Sequence, residues 1–269
     1  MRVAFYRDCA GVAAPVSVDV NIRSASGGEN FNIVLPQISF SEIIPYCTGV
    51  LPTECGLGTE PSREQYLYND TVTLPALRTD WVMSWTDCCR NAANTTITSP
   101  GTRSLYVQAT LNNTLFPVSS SPFFSNPPAP FVYAGQPYCY NNAAVDPDGD
   151  SLVYSLITPR TTNNTTFVTY IAPYTATQPL TSVPPITLDA ATGDVCMTPT
   201  TAGEVTVMAL LVEEYRFGNL IGSTMRDIQV NVIPGADLLP TTNGINGTGT
   251  YSDTIAEGCL YTFTTGTAD

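Results

Sequence analysis

The chain has 269 residues, a formal net charge of −13 and only 12% charged residues, and all ten of its cations are arginine, with no lysine and no histidine. Such a surface repels nucleic acid and anionic lipid, both of which need a basic footprint. It draws divalent cations, although plain solubility explains the acidity equally well. Threonine is the commonest residue, and Ser, Asn, Pro and Gly are plentiful, which predicts an all-β chain of short strands joined by polar turns.

At roughly 100–200 residues per domain the length suggests two domains. The first segment spans 1–125. Val16, Val18, Val20 and Ile22 alternate with Ser17, Asp19 and Asn21, and Phe31, Ile33 and Leu35 repeat the pattern, so each run predicts a strand with one apolar face. Tyr66, Tyr68, Val72 and Leu74 flank a turn at Asn69-Asp70; Trp81–Trp85 reads as a core strand, and Leu105, Val107, Ala109 and Leu111 as another. Asn126-Pro-Pro-Ala-Pro130 marks a stiff, extended boundary.

The second segment spans 126–234. Leu152, Tyr154 and Leu156 alternate after an acidic loop, and Asp189–Gly193 is a turn between Ile186-Leu188 and Val195-Met197. Val205, Val207, Ala209 and Leu211 are expected on one face of a hairpin strand that turns at Phe217-Gly218-Asn219 and returns through Ile228, Val230 and Val232. Residues 235–269 read as the opening of a third β module. The spacing of strands and turns predicts tandem β-sandwiches. The N-terminus reads as a strand, not a signal peptide, and no run of about 18 apolar residues is present to span a membrane. The expectation is a piece of a longer protein.

Eight cysteines point to an oxidising compartment, hence an extracellular or cell-surface location. No pair has the C-x-x-C spacing of a zinc site, and no histidine could complete one. The expected disulfides are Cys47–Cys55 across seven residues, Cys139–Cys196 in the second segment, and Cys9 with either Cys88 or Cys89; the partner of Cys259 is expected outside the chain.

The sharpest candidate site is Asp146-Pro-Asp-Gly-Asp150. Carboxylates at alternating positions converge where glycine allows a tight turn, and hard oxygen ligands suit Ca²⁺. Glu213 and Glu214 could join if the hairpin lies near. The competing reading is an ordinary Asp-Gly turn with solvated carboxylates. Trp81 and Trp85, four residues apart on a strand, are either a core pair or a platform for stacking sugars. Catalysis has little to work with: the missing His and Lys rule out Ser-His, Cys-His and Schiff-base chemistry, so no enzyme is expected. Asn94, Asn164 and Asn246 begin N-glycan acceptor tripeptides.

Several segments in order carry a resemblance: Phe5-Tyr-Arg-Asp-Cys9, Asp80-Trp-Val-Met-Ser-Trp-Thr-Asp-Cys-Cys-Arg-Asn91, Ser120-Ser-Pro-Phe123, Asp146-Pro-Asp-Gly-Asp-Ser-Leu-Val-Tyr-Ser-Leu156, Glu214-Tyr-Arg-Phe-Gly-Asn-Leu-Ile-Gly222 and Arg226-Asp-Ile-Gln-Val230. Together they resemble the repetitive region of giant gliding-motility-type surface adhesins of the Bacteroidetes. The resemblance implies type IX export, a cell-surface filament, and adhesion or gliding. Expected partners are neighbouring modules of the same chain, other copies in a filament, or surface glycans. An Ig-like module followed by a cadherin-like one is implied, with Asp146, Asp148 and Asp150 as calcium ligands. O-glycosylation of Asp-Ser/Thr-apolar tripeptides would then fall on Thr71 and Thr254, and Asp150-Ser151-Leu152 fits the same pattern.

Overall fold

The computed structural model describes residues 1–43, 52–59, 62–128 and 130–235. Strand makes up 48% of the described residues and helix 3%, so the all-β expectation holds. The first half contributes β1 (Arg2–Arg7), β2 (Ser17–Ser24), β3 (Asn30–Ile43), β4 (Arg63–Asn69), β5 (Trp81–Asp87) and β6 (Leu105–Leu111). After it come β7 (Phe123–Phe124), β8 (Phe131–Tyr133), β9 (Tyr138–Asn141), β10 (Ala144–Val145) and β11 (Ser151–Ile157). The remainder are β12 (Thr187–Leu188), β13 (Asp194–Met197), β14 (Val205–Arg216) and β15 (Asn219–Ile233). No helix among the described residues is long and apolar enough to cross a membrane. The third module expected over 235–269 lies outside the described residues, apart from Gly235.

The main sheet runs β1-β4-β3-β2-β5-β6-β15-β14-β11, antiparallel throughout, and β8 adds to the end of β15 in parallel. It is continuous across the proline cluster, because β6 pairs with β15 through Leu111, Thr110 and Ala109.

The first core forms where this sheet folds over itself. The first part of β3 pairs with β2, and after a register shift between Gln37 and Ser39 the rest pairs with β4. One strand thus serves two layers, a way sheets turn a corner. Val18, Val20 and Ile22 of β2 and Trp81 and Trp85 of β5 pack against Leu35, Tyr68, Val3 and Phe5. Phe5 meets Trp85 edge to face at 5.7 Å. Val16 lies before β2 and is exposed, so the expected run of four apolar positions holds for three.

The second core lies between the β14–β15–β8 layer and a small sheet of order β12-β13-β9. The expected hairpin and its turn are present, but Val205, Val207, Ala209 and Leu211 do not share the face of Ile228, Val230 and Val232. Met208 pairs with Ile228 and Thr206 with Val230, so β14's even-numbered positions share the face of Ile228, Val230 and Val232. Val207 and Ala209 instead lie opposite Gln229 and Asp227. That face is not solvent: Ile97 and Val168 pack on Val207. Both faces of β14 are therefore covered, and alternation alone could not tell which row met the core.

Cys139 and Cys196, the pair expected in the second segment, are directly opposite on β9 and β13 and are joined. The other expected pairings are corrected. Cys55 bonds Cys9 across 46 residues, because β1 and β4 are neighbours and bring their ends together. That leaves no Cys47–Cys55 loop; Cys47 itself lies outside the described residues, as does Cys259. Cys88 and Cys89 bond each other, so neither is available to Cys9.

Candidate metal centre

The loop 146–150 leads directly into β11, and β11 lies against β14 with Leu152 opposite Glu214. This register brings Glu214 beneath the acidic loop. Glu213, one position away, points to the opposite face of the strand and does not join the cluster. Asp146, Asp148 and Asp150 each offer an oxygen, and the three atoms lie within 4.8 Å of one another.

Each carboxylate has a different role. Asp146 Oδ1 accepts hydrogen bonds from the backbone N–H of Asp148 at 2.9 Å and of Asp150 at 3.0 Å, which shapes the loop. Gly149 has φ +80, and no heavy atom lies within 4 Å of where a Cβ would stand, so backbone freedom is what the position requires. The second oxygen of Asp146 is buried and has no hydrogen-bond partner. Asp148 accepts from the backbone N–H of Ser120 at 2.7 Å, which ties the loop to the segment before the proline cluster. Asp150 takes two hydrogen bonds from Arg216, at 2.7 and 2.6 Å. Arg216 also reaches Asp148 at 3.0 Å and lies over the Phe116 ring.

The electrostatics follow this division. The Ser120 N–H and the Arg216 guanidinium hold the Asp148 carboxyl below its ordinary range, and hydrogen bonding from Arg216 does the same for Asp150. Glu214 has no such cation. It is 1% exposed, accepts a 3.3 Å bond from Ser119 Oγ and shares a hydrogen bond with the Asp150 carboxylate. Burial, reinforced by Asp146 and Asp150, pushes its carboxyl up to about 7. Arg216 therefore neutralises one side of the cluster, while Asp146 and Glu214 form an uncompensated side. An all-oxygen donor set with surplus negative charge fits a hard divalent cation.

The tryptophans are a correction. Trp81 is 0% and Trp85 7% exposed, so neither presents a ring face to a sugar. Trp81 Nε1 donates to the Ala76 carbonyl at 3.3 Å, which satisfies its one polar group inside the core. Asn94 is also removed as a glycan acceptor: it is buried, and its amide donates to Asn91 O at 2.8 Å. Asn164 and Thr71 are exposed. Asn246 and Thr254 lie outside the described residues.

The partners of the arginines are what the sequence reading missed: the neighbour expected for Arg90 is Asp87, and its partner in the structure is Asp227. Arg90 pairs with Asp227, Arg226 donates to Asn142 Oδ1 and the Asn126 carbonyl, and Arg63 lies 4.4 Å from the Phe131 ring centroid. Arg216 donates to the Val118 carbonyl and to Ser119 Oγ, so four of the ten arginines tie the two halves or the linker together. No protein-family model matches the chain, and no curated protein or solved structure matches it either.

Proposed function

We propose that this chain is a non-enzymatic structural and adhesive segment of a large extracellular bacterial surface protein, of the gliding-motility adhesin kind, and that calcium stiffens it. On this reading the first half is an Ig-like module and the second a cadherin-like one. The observation that carries the reading is the acidic cluster at the seam. Asp146, Asp148, Asp150 and Glu214 would hold the ion, and Asp148 already binds Ser120, from the segment that enters the linker. An ion there would fix the entry to the second half, as a stiff rod under tension requires. Disulfides in both halves and the absence of His and Lys support a scaffold over a catalyst.

The test is thermal unfolding of the whole chain in calcium and in chelator. Binding to the native state alone adds about 2.7 kcal/mol at a hundredfold excess over Kd. The melting temperature should rise with calcium, and Asp146→Asn, which keeps the Oδ1 acceptor of the loop but removes charge, should abolish most of the rise. Identical melting in calcium and chelator would sink the proposal.

A further inference from the structure

A polar cleft of about 660 Å³ lies on the outward face of the first half, opposite the tryptophan core. Its floor is the solvent-facing row of β2, β3, β5 and β6, and its lip is the loop Thr162–Thr165 from the second half. The lip is fixed in place: Arg160 bridges Tyr106 of β6 and Phe167, and Thr161 N–H donates to the Thr166 carbonyl at 2.9 Å. The floor is a chain of side-chain hydrogen bonds. Asn21 Nδ2 donates to Asn30 and Asn32, Arg23 donates to Ser84 and to Tyr106, and Tyr106 donates to Gln108.

Three features define what would fit. First, the groups are held by one another, so a ligand would meet ordered donors and acceptors and lose little entropy in fixing them. Several retain unused capacity, since Asn32 Nδ2 and the whole Asn164 amide make no hydrogen bond within the described residues. Second, no aromatic face is offered: Tyr106 is 3% exposed. Recognition would rest on hydrogen bonds to a ligand rich in hydroxyls. Third, the cleft is bipolar. Among the described residues Arg23 has only neutral partners, in a chain of 23 acidic residues and ten arginines. Asp19, also in the lining, is exposed and makes no hydrogen bond or ion pair within the described residues. They lie four positions apart on one strand, roughly 13 Å, or about the length of a trisaccharide.

We infer that this cleft binds a short oligosaccharide carrying a carboxylate on one terminal sugar, with that carboxylate at Arg23 and neutral hydroxyls running toward Asp19. The missing ion partner of Arg23 selects the acidic end, and Asp19 repels a second charge at the other. Each cleft would bind weakly, and adhesion would come from many copies on one surface. The inference gives the adhesive reading a ligand but uses none of the residues of the calcium cluster.

The experiment is binding of the whole chain to 3′-sialyllactose and to a glucuronic-acid-terminated trisaccharide, with lactose and trigalacturonate as comparators, followed by NMR in chelator. Working without calcium separates failure here from failure of the metal site. At least one terminally acidic sugar should shift the side-chain signals of Arg23, Asn32 and Asn164, and should bind about tenfold or more tightly than lactose, as expected for one charge-assisted hydrogen bond. Arg23→Gln should remove that preference. Asn164→Ala, on the exposed lip, should weaken binding without changing the melting temperature. Asp19→Asn should admit trigalacturonate, which the native chain rejects. Equal binding of lactose, native binding of trigalacturonate, or no shift with either terminally acidic sugar would each overturn the inference.

Discussion

Arg90 and Asp227 are 137 positions apart in sequence and form a two-pronged ion pair, 2.9 and 2.6 Å, with side-chain exposures of 4% and 2%. Arg90 follows the Cys88–Cys89 pair at the end of β5, and Asp227 stands on β15, so the contact fastens the first half to the central strand of the second. The same guanidinium donates to the Arg160 carbonyl at 2.9 Å, close to the loop that lips the polar cleft.

Removing one partner of such a pair leaves an uncompensated buried charge, which typically costs about 3–5 kcal/mol. Arg90→Ala and Asp227→Ala should each destabilise the chain by that order in denaturant unfolding. Replacing both at once, Arg90→Met with Asp227→Leu, should cost less than either single change. A near-neutral Arg90→Ala would show that the pair does not hold the seam.

Trp81 is fully buried and Trp85 nearly so. Trp81→Ala should cost about 3–5 kcal/mol, the usual range for an aromatic removed from a packed core. Indole fluorescence should be that of buried rings and should not respond to saccharides, including those that fill the cleft on the opposite face. A sugar-dependent change in Trp85 emission would contradict the placement.

The period-2 runs were legible in the sequence because burial follows them directly: Val18, Val20 and Ile22 fall in the core as their alternation predicts. The β14 register was not legible. Val207 and Met208 are both apolar and both buried, so periodicity carries no information about which faces which layer. The acidic loop was legible because Asp146, Asp148 and Asp150 are local. Glu214 could be named only together with Glu213, and Arg216 not at all, since their roles depend on the register of β11 against β14. The arginine contacts at the seam are set by tertiary placement alone, and a sequence with ten scattered arginines carries no sign of which are buried. Cys139–Cys196 was legible within the second segment, but the partner of Cys9 was not, because β1 and β4 meet only in three dimensions.

Asp80 makes a separate, pH-sensitive contact. Its carboxylate accepts from Ser24 Oγ and Ser26 Oγ, both at 2.6 Å, and from the Ser26 N–H at 2.8 Å. These bonds, led by that from Ser24, hold its pKa down to about 2 from the ordinary 3.8. A carboxyl whose folded value is depressed stabilises the fold above its unfolded value, and that contribution is lost as pH falls through the folded one. The loss should therefore begin below about pH 4 and be complete below about pH 2. NMR titration of the Asp80 carboxyl should give the low midpoint, and Asp80→Asn should unfold with a shallower acid dependence. A midpoint near 3.8 would mean that the serine bonds do not persist in solution.

Arg216 sets how strongly the acidic cluster would compete for calcium. Its guanidinium bonds both Asp148 and Asp150, and hydrogen bonding to Asp150, followed by that to Asp148, raises its own pKa. It acts as the protein's internal cation and opposes an ion at the same oxygens. Arg216→Gln keeps a hydrogen-bond donor but removes the charge. In chelator the variant should be less stable than the native chain, because Asp146, Asp148 and Asp150 then repel one another without compensation. In calcium the difference should narrow or reverse, and affinity should rise by about tenfold, the equivalent of roughly 1.4 kcal/mol of relieved competition. Glu214→Gln should act in the opposite sense, with weaker calcium binding and a chelated form at least as stable as the native one near neutral pH, since burial already disfavours its charge. The two variants thus move calcium affinity in opposite directions from neighbouring positions on one strand. Calorimetric titration of both would show whether Arg216 and an ion share the site. If Arg216→Gln left calcium affinity unchanged while lowering stability in both conditions alike, the guanidinium would be a structural partner only.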